Sequence, residues 1–111
     1  MRIALIGCGM IGTTHARAIA SSPIARCTVL FDPAPGRAKA LQDAFFPEAR
    51  VARAVEELPA LADAAIVAVP AGLHASLSIG LIEAGLHVLC EKPLATTLQD
   101  AQAMAEAARR A

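Results

Sequence analysis

Apolar residues along this chain fall into short unbroken runs, and the runs are separated by stretches with a helical period. Arg2–Ile6 (RIALI) and Ala64–Val69 (AAIVAV) are almost wholly apolar, with no polar alternation. Runs of that length without alternation read as strands buried on both faces, the habit of parallel sheets. Arg26–Phe31 (RCTVLF) and Leu86–Cys90 read the same way, and Arg50–Ala54 as a weak edge strand. Between the strands the pattern predicts a helix over Met10–Ser21, with Ile11, Ala18 and Ile19 on one face and Pro23 beyond its end. A second helix is predicted over Ala34–Phe46, opened by the turn Asp32-Pro33-Ala34-Pro35 and stopped by Pro47. Glu56–Leu61 reads as a short helical turn. A third helix spans Leu73–Ala84, with Leu73, Leu77 and Leu81 four apart and Gly85 as its cap. Thr97-x-x-Asp100 resembles a capping box for a last helix through Arg110. Buried strands alternating with helices make βαβ units with right-handed crossovers. The expected fold is therefore α/β: one doubly wound parallel sheet of five strands, order 3-2-1-4-5, spanning residues 1–111.

Composition narrows the function classes. With 111 residues the chain is one domain at most, and ten basic against ten acidic side chains leave no net charge. That removes the electrostatic footprint expected for nucleic acid or an anionic membrane. The chain is 56% hydrophobic but only 3% aromatic, which suits closely packed α/β layers. So apolar a short chain is expected to turn part of its surface toward another domain. No clean apolar stretch approaches the roughly 18–20 residues of a membrane span. Met1-Arg2 leads straight into a strand, with no signal-peptide core. Cys8, Cys27 and Cys90 are odd in number and lack a CxxC spacing, so they read as reduced thiols of a cytoplasmic protein. No two of His15, His74 and His87 share a metal-ligand spacing, and no metal is expected.

The chemistry lies first in Gly7-Cys8-Gly9-Met10-Ile11-Gly12, directly behind the first strand. In a strand–turn–helix of this form, Gly7 permits the tight turn and Gly9 lets backbone approach a pyrophosphate. Gly12 lets the helix pack closely on the sheet. The helix N-terminus then offers N–H groups and partial positive charge to the anion. Asp32, twenty residues after Gly12 and at the end of the second strand, is placed to accept hydrogen bonds from the adenine-ribose hydroxyls of NAD. It would oppose the extra phosphate of NADP: like charges about 4 Å apart repel by roughly 4 kcal/mol at an effective dielectric of 20. Arg37 could partly reverse this by pairing with that phosphate, so NAD is favoured and NADP is the lesser alternative. Cys8 reads as a small filler beside the pyrophosphate. A redox switch is the other reading of Cys8, since a helix N-terminus can lower a thiol pKa.

Two later segments fall at strand carboxyl ends, where open parallel sheets bind ligands: Val69-Pro70-Ala71-Gly72-Leu73-His74 and Cys90-Glu91-Lys92-Pro93-Leu94-Ala95. Together with the opening GCGMIGTTHARAI they resemble the Gfo/Idh/MocA oxidoreductases, the family of glucose–fructose oxidoreductase and inositol dehydrogenase. The resemblance runs the length of the chain in the family's order. It implies an NAD- or NADP-binding Rossmann domain. It implies that Lys92 lies near nicotinamide and substrate as the catalytic residue of this part, and Glu91 near the nicotinamide ribose. Met10, Ile11, Pro70 and His74 complete the expected cofactor set, although His74 reads equally as a plain helix-start histidine. His15 reads as a packed, hydrogen-bonded histidine and His87 as a structural one.

Family members carry a second α+β domain that supplies most contacts to a small-molecule substrate, and that domain is expected to be missing here, as is a sixth strand. The chain is thus expected to be a truncated or split product that is inactive alone, self-associating or completed by a separate substrate-domain chain. Hydride transfer between nicotinamide and a sugar, polyol or related hydroxy or carbonyl substrate is the implied activity. A non-catalytic NAD-binding sensor or subunit is the alternative. An S-adenosylmethionine enzyme would also use Asp32, but CEKPLA argues against it.

Overall fold

The structure, a computed structural model, describes residues 1–34 and 36–111. Five strands, β1 (Arg2–Ile6), β2 (Arg26–Phe31), β3 (Arg50–Val51), β4 (Ala64–Val67) and β5 (His87–Cys90), form one sheet in the order β3-β2-β1-β4-β5. Every pairing is parallel. Four α-helices intervene: α1 (Met10–Ala20), α2 (Arg37–Phe45), α3 (His74–Glu83) and α4 (Leu98–Arg110). The expected doubly wound order is the observed one.

β1 runs through the middle and is covered on both sides, which is why its sequence does not alternate. On one face Ile3 and Leu5 join Cys27, Leu30 and the inner sides of α1 and α2. On the other, Ala4 and Ile6 join Val29, Ala65 and Val67 beneath Leu58 and Leu81. Burying each large side chain of this set contributes about 1.5–3 kcal/mol before the entropy of ordering it is subtracted.

Where elements differ from expectation, a specific contact is responsible. The buried stripe of α1 is Gly12, Ala16 and Ile19, whereas Ile11 and Ala18 point outward. The close seating of Gly12 on the sheet rotates Ile11 away. α2 begins at Arg37, not Ala34, because Gly36 takes a left-handed φ of +82° as its N-cap, a conformation that cannot continue a helix; upstream, the Ala34 amide donates to Asp32 Oδ1 at 2.7 Å, and Pro35 lies outside the described residues. β3 stops after two residues because the amides of Arg53 and Ala54 donate to Glu57 Oε2, opening a 3-10 turn over Val55–Ala60. Ala71–Leu73 is likewise 3-10, so α3 starts at His74. Its buried face is His74, Ser78 and Leu81, and Leu73 is 45% exposed instead of forming a leucine stack. Thr97 caps α4 as expected, its hydroxyl accepting from the Asp100 amide at 3.1 Å. Among the described residues no helix is long and apolar enough to cross a membrane.

Arg2 and Asp63 tie the entry of β1 to the entry of β4. Asp63 Oδ2 accepts from the Arg2 amide at 3.0 Å, and Arg2 Nη2 donates to Oδ1 at 3.0 Å. These hydrogen bonds hold the Asp63 carboxyl down at about 2. A depressed carboxyl stabilises the fold above its unfolded value, and that contribution disappears as pH falls through the folded one. The Asp63→Asn protein should therefore melt less acid-dependently than the parent between pH about 4 and about 2, with the parent the more stable at pH 7 by a modest margin because the pair is exposed. Thermal melts across that range check this.

Candidate functional site

The site is built from backbone outward. Leaving β1, the chain turns at Gly7, whose φ is +95°. The Gly7 amide donates to Phe31 O at 2.9 Å. A Cβ at Gly7 would lie 2.4 Å from Ala68 O, and a Cβ at Gly12 would lie 1.9 Å from Gly7 O. No side chain fits at either position. The first turn of α1 is thereby laid directly on the end of β1. Gly9 caps α1 without any side-chain hydrogen bond, and that first turn contains no acid. Its N–H groups and the positive end of the helix dipole thus face the crevice for an anion. Arg37 adds a full charge from α2: its Nη1 lies 3.4 Å from where a Gly9 Cβ would stand. A cradle of amides with a guanidinium over it fits a diphosphate.

Asp32 closes the adenosine side. Its Oδ2 accepts from the Cys8 amide at 2.7 Å, while Oδ1 holds Ala34. The carboxylate that is expected to meet ribose hydroxyls also fixes the glycine turn against the end of β2. Cys8 is buried behind it. Burial, with the nearby Asp32 charge, pushes the Cys8 thiol up to about 12, the reverse of what a redox switch needs. Small filler is the reading that the surroundings support.

The crevice opens where the strand order reverses, between β1 and β4, the position that binds ligands in such sheets. Pro70 stands exposed past the end of β4, and Met10 and Ile11 present apolar surface at the start of α1. At the end of β5 the Glu91 amide donates to Val67 O at 3.0 Å. Lys92 follows, exposed and, among the described residues, in no ion pair; the Lys92–Pro93 peptide is cis. His74 does not offer its ring to the crevice. It is 1% exposed, with Nδ1 2.8 Å from Pro93 O and Nε2 2.8 Å from Val69 O. Both nitrogens are occupied by protein, so the expectation of a His74 ring contact to cofactor gives way to an internal tie. His15 Nε2 stands 3.8 Å from Glu91 Oε1, a link that the sequence did not show because the partners lie at opposite ends of the chain. His87 lies exposed at the start of β5. A separate concavity of about 580 Å³ opens beside Ile19, Phe45 and Phe46 at the amino ends of the strands.

A parallel sheet with a glycine turn, a helix N-terminus and an acid at the next strand defines a dinucleotide-binding domain. The chain belongs to the Gfo/Idh/MocA oxidoreductase family, whose NAD-binding Rossmann-fold model matches residues 1–111. An inositol 2-dehydrogenase of Rhizobium meliloti is 34% identical over 94 residues, 85% of this chain and 28% of that protein. A myo-inositol dehydrogenase of Streptomyces leeuwenhoekii is 39% identical over 112 residues, 99% of this chain and 34% of that one. The chain thus spans about a third of the length of these relatives. Among solved structures, the WlbA dehydrogenase of Chromobacterium violaceum, in complex with NADH and UDP-GlcNAcA, superposes with a TM-score of 0.92 at 35% identity. That match covers 99% of this chain and 32% of the other. A 3-ketoreductase of Actinomadura kijaniata, solved with NADP, gives 0.89 at 30% identity, over 99% of this chain and 34% of that one.

Gly12→Ala should cost about 3 kcal/mol or more, since the added methyl meets backbone that has no room to yield; denaturant melts measure it. Native Cys8 should react with iodoacetamide at least about a hundredfold more slowly at pH 7.5 than after unfolding, because so little thiolate is present. Mass mapping of the alkylated chain reads that rate.

Proposed function

We propose that residues 1–111 hold NAD as the cofactor domain of an oxidoreductase that moves hydride between nicotinamide and a hydroxyl-bearing or carbonyl carbon of a polyol or sugar. One observation carries the reading: the amide cradle at Gly7–Gly12 is joined by a 2.7 Å hydrogen bond to the carboxylate that would take the neighbouring ribose. The bound nicotinamide supplies or accepts the hydride. The chain's own residues do the rest. Gly9, Met10, Ile11 and Gly12 hold the diphosphate with main-chain N–H groups, and Asp32 accepts from the adenine ribose. Pro70 and Glu91 border the nicotinamide half, and Lys92 points its ammonium toward the substrate oxygen, where it would stabilise developing negative charge. The substrates named for the relatives, inositol and a UDP-sugar, support that substrate class. Most substrate contacts of a complete enzyme would come from polypeptide outside residues 1–111, within this protein or on a partner chain, which the threefold greater length of the relatives supports. Three free thiols suit a reducing compartment, the cytoplasm.

NADP is the second reading, and Arg37 favours it: its guanidinium lies over the cradle, close enough to reach a phosphate. Asp32 opposes it by charge. Calorimetry with both cofactors decides between them. NADH should bind more tightly, and Asp32→Asn, which removes charge with little change of shape, should narrow the preference by about tenfold or more. Tighter NADPH binding by the parent chain overturns the choice of cofactor. Failure of both at millimolar concentration overturns the function.

A further inference from the structure

Lys92 is exposed, yet the main chain on either side of it is tied down. Before it, the Glu91 amide donates to Val67 O, and the Glu91 carboxylate is met by His15 Nε2 at 3.8 Å. After it, Pro93 O lies 2.8 Å from His74 Nδ1. The two histidines come from helices on opposite faces of the sheet, His15 from α1 and His74 from α3. The His74 ring also reaches Val69 O at 2.8 Å, so one buried imidazole connects the turn after β4 with the turn after β5. Both of its neighbours are carbonyls, which only accept. A neutral ring carries a single N–H, so it donates to one of the two carbonyls while its other nitrogen packs against the second. Buried between them, the ring holds the two backbone segments at a fixed separation.

The geometry points to a two-histidine bracket: His15 and His74 are positioning residues that fix the Glu91–Pro93 segment from both faces of the sheet, so that the ammonium of Lys92 is held at the nicotinamide half of the crevice. The bracket rests on the NAD-binding reading, and it adds two residues whose work is done through Lys92 and not on the cofactor. It predicts a division of labour. The adenosine half is held by backbone and Asp32 and does not need the histidines. The placement of Lys92 does.

The chain suits a direct test because it contains two lysines, Lys39 and Lys92. Lys39 lies on α2, paired with Asp43, and serves as an internal reference. The 111-residue chain is acylated with an amine reagent, with and without saturating NADH, and the two sites are read by mass spectrometry. ADP, which has the adenosine half only, is titrated separately by calorimetry as a check that the cradle is intact. NADH should slow acylation of Lys92 relative to Lys39 by about tenfold in the parent chain, the scale of one well-made polar contact. His15→Ala and His74→Gln should lose most of that protection while ADP affinity stays within about twofold. His74→Asn places an amide donor near the Nδ1 position and should keep protection.

Full protection in both His15→Ala and His74→Gln overturns the bracket while leaving NAD binding standing. Absence of NADH binding by the parent overturns the NAD reading itself, so the two failures are distinct. If His74→Gln no longer binds ADP, His15→Ala, altered at a partly exposed position, decides the matter.

Discussion

The rest of the structure depends on the contact between Gly12 and Gly7. A helix normally sits a side chain's width from the strand it covers, and here that spacer is missing. Backbone rests on backbone, with room for a hydrogen at Gly12 and nothing larger. The consequence is rotational as well as spatial. Gly12, Ala16 and Ile19 are pulled toward the sheet, which turns Met10 and Ile11 outward toward the crevice and leaves the first-turn amides facing it. Gly7 is pressed in turn against Ala68 and Val69. The end of β4, and with it the nicotinamide side, is therefore placed relative to the anion cradle by main-chain contact alone.

Asp32, the proposed ribose acceptor, is also scaffold. Each carboxylate oxygen already accepts one backbone amide. A carboxylate oxygen has two lone-pair directions, so each keeps one for a ribose hydroxyl. The charge that suits hydroxyls repels a phosphate, and Arg37 stands near the same cradle with the opposite sign. Cofactor choice is then a balance between two charges of which one also holds the turn, so altering Asp32 disturbs more than the preference.

What the sequence showed and what it hid divide along one line. The strand bounds of β1 and β2, the strand order, and the glycine turn with its acid were legible because each is encoded within a few residues or by a fixed spacing. The buried faces of α1 and α3 were not. Leucines four apart suggested a core stripe at Leu73, Leu77 and Leu81, but the helix turns His74 and Ser78 inward instead. What decides this is the position of Val69 O and Pro93 O, supplied by two other turns. The link from His15 to Glu91 was hidden for the same reason. The late start of α2 was hidden because nothing in the sequence shows that Gly36 takes a left-handed φ, which ends the turn after Asp32 and sets the N-cap.

If Lys92 has its proposed role, its surroundings make holding a cofactor and reacting with it separable in this chain. An ammonium about 4 Å from a developing charge is worth roughly 1 kcal/mol in water and about 4 kcal/mol at an effective dielectric of 20. Lys92 is exposed, and so are Leu89, Leu94 and Leu98 in the same stretch of sequence, at 53%, 49% and 74%. A charge in that setting is screened and contributes at the lower end of the range. Covering those leucines would exclude water from around the same lysine and raise its effect severalfold without moving an atom of the cradle. The diphosphate site needs no such cover, because its donors are backbone amides fixed by the Gly7–Gly12 contact. On the proposed reading, binding would be a property of this domain, and reactivity at Lys92 would depend on whatever apolar surface comes to lie against β5 and the start of α4.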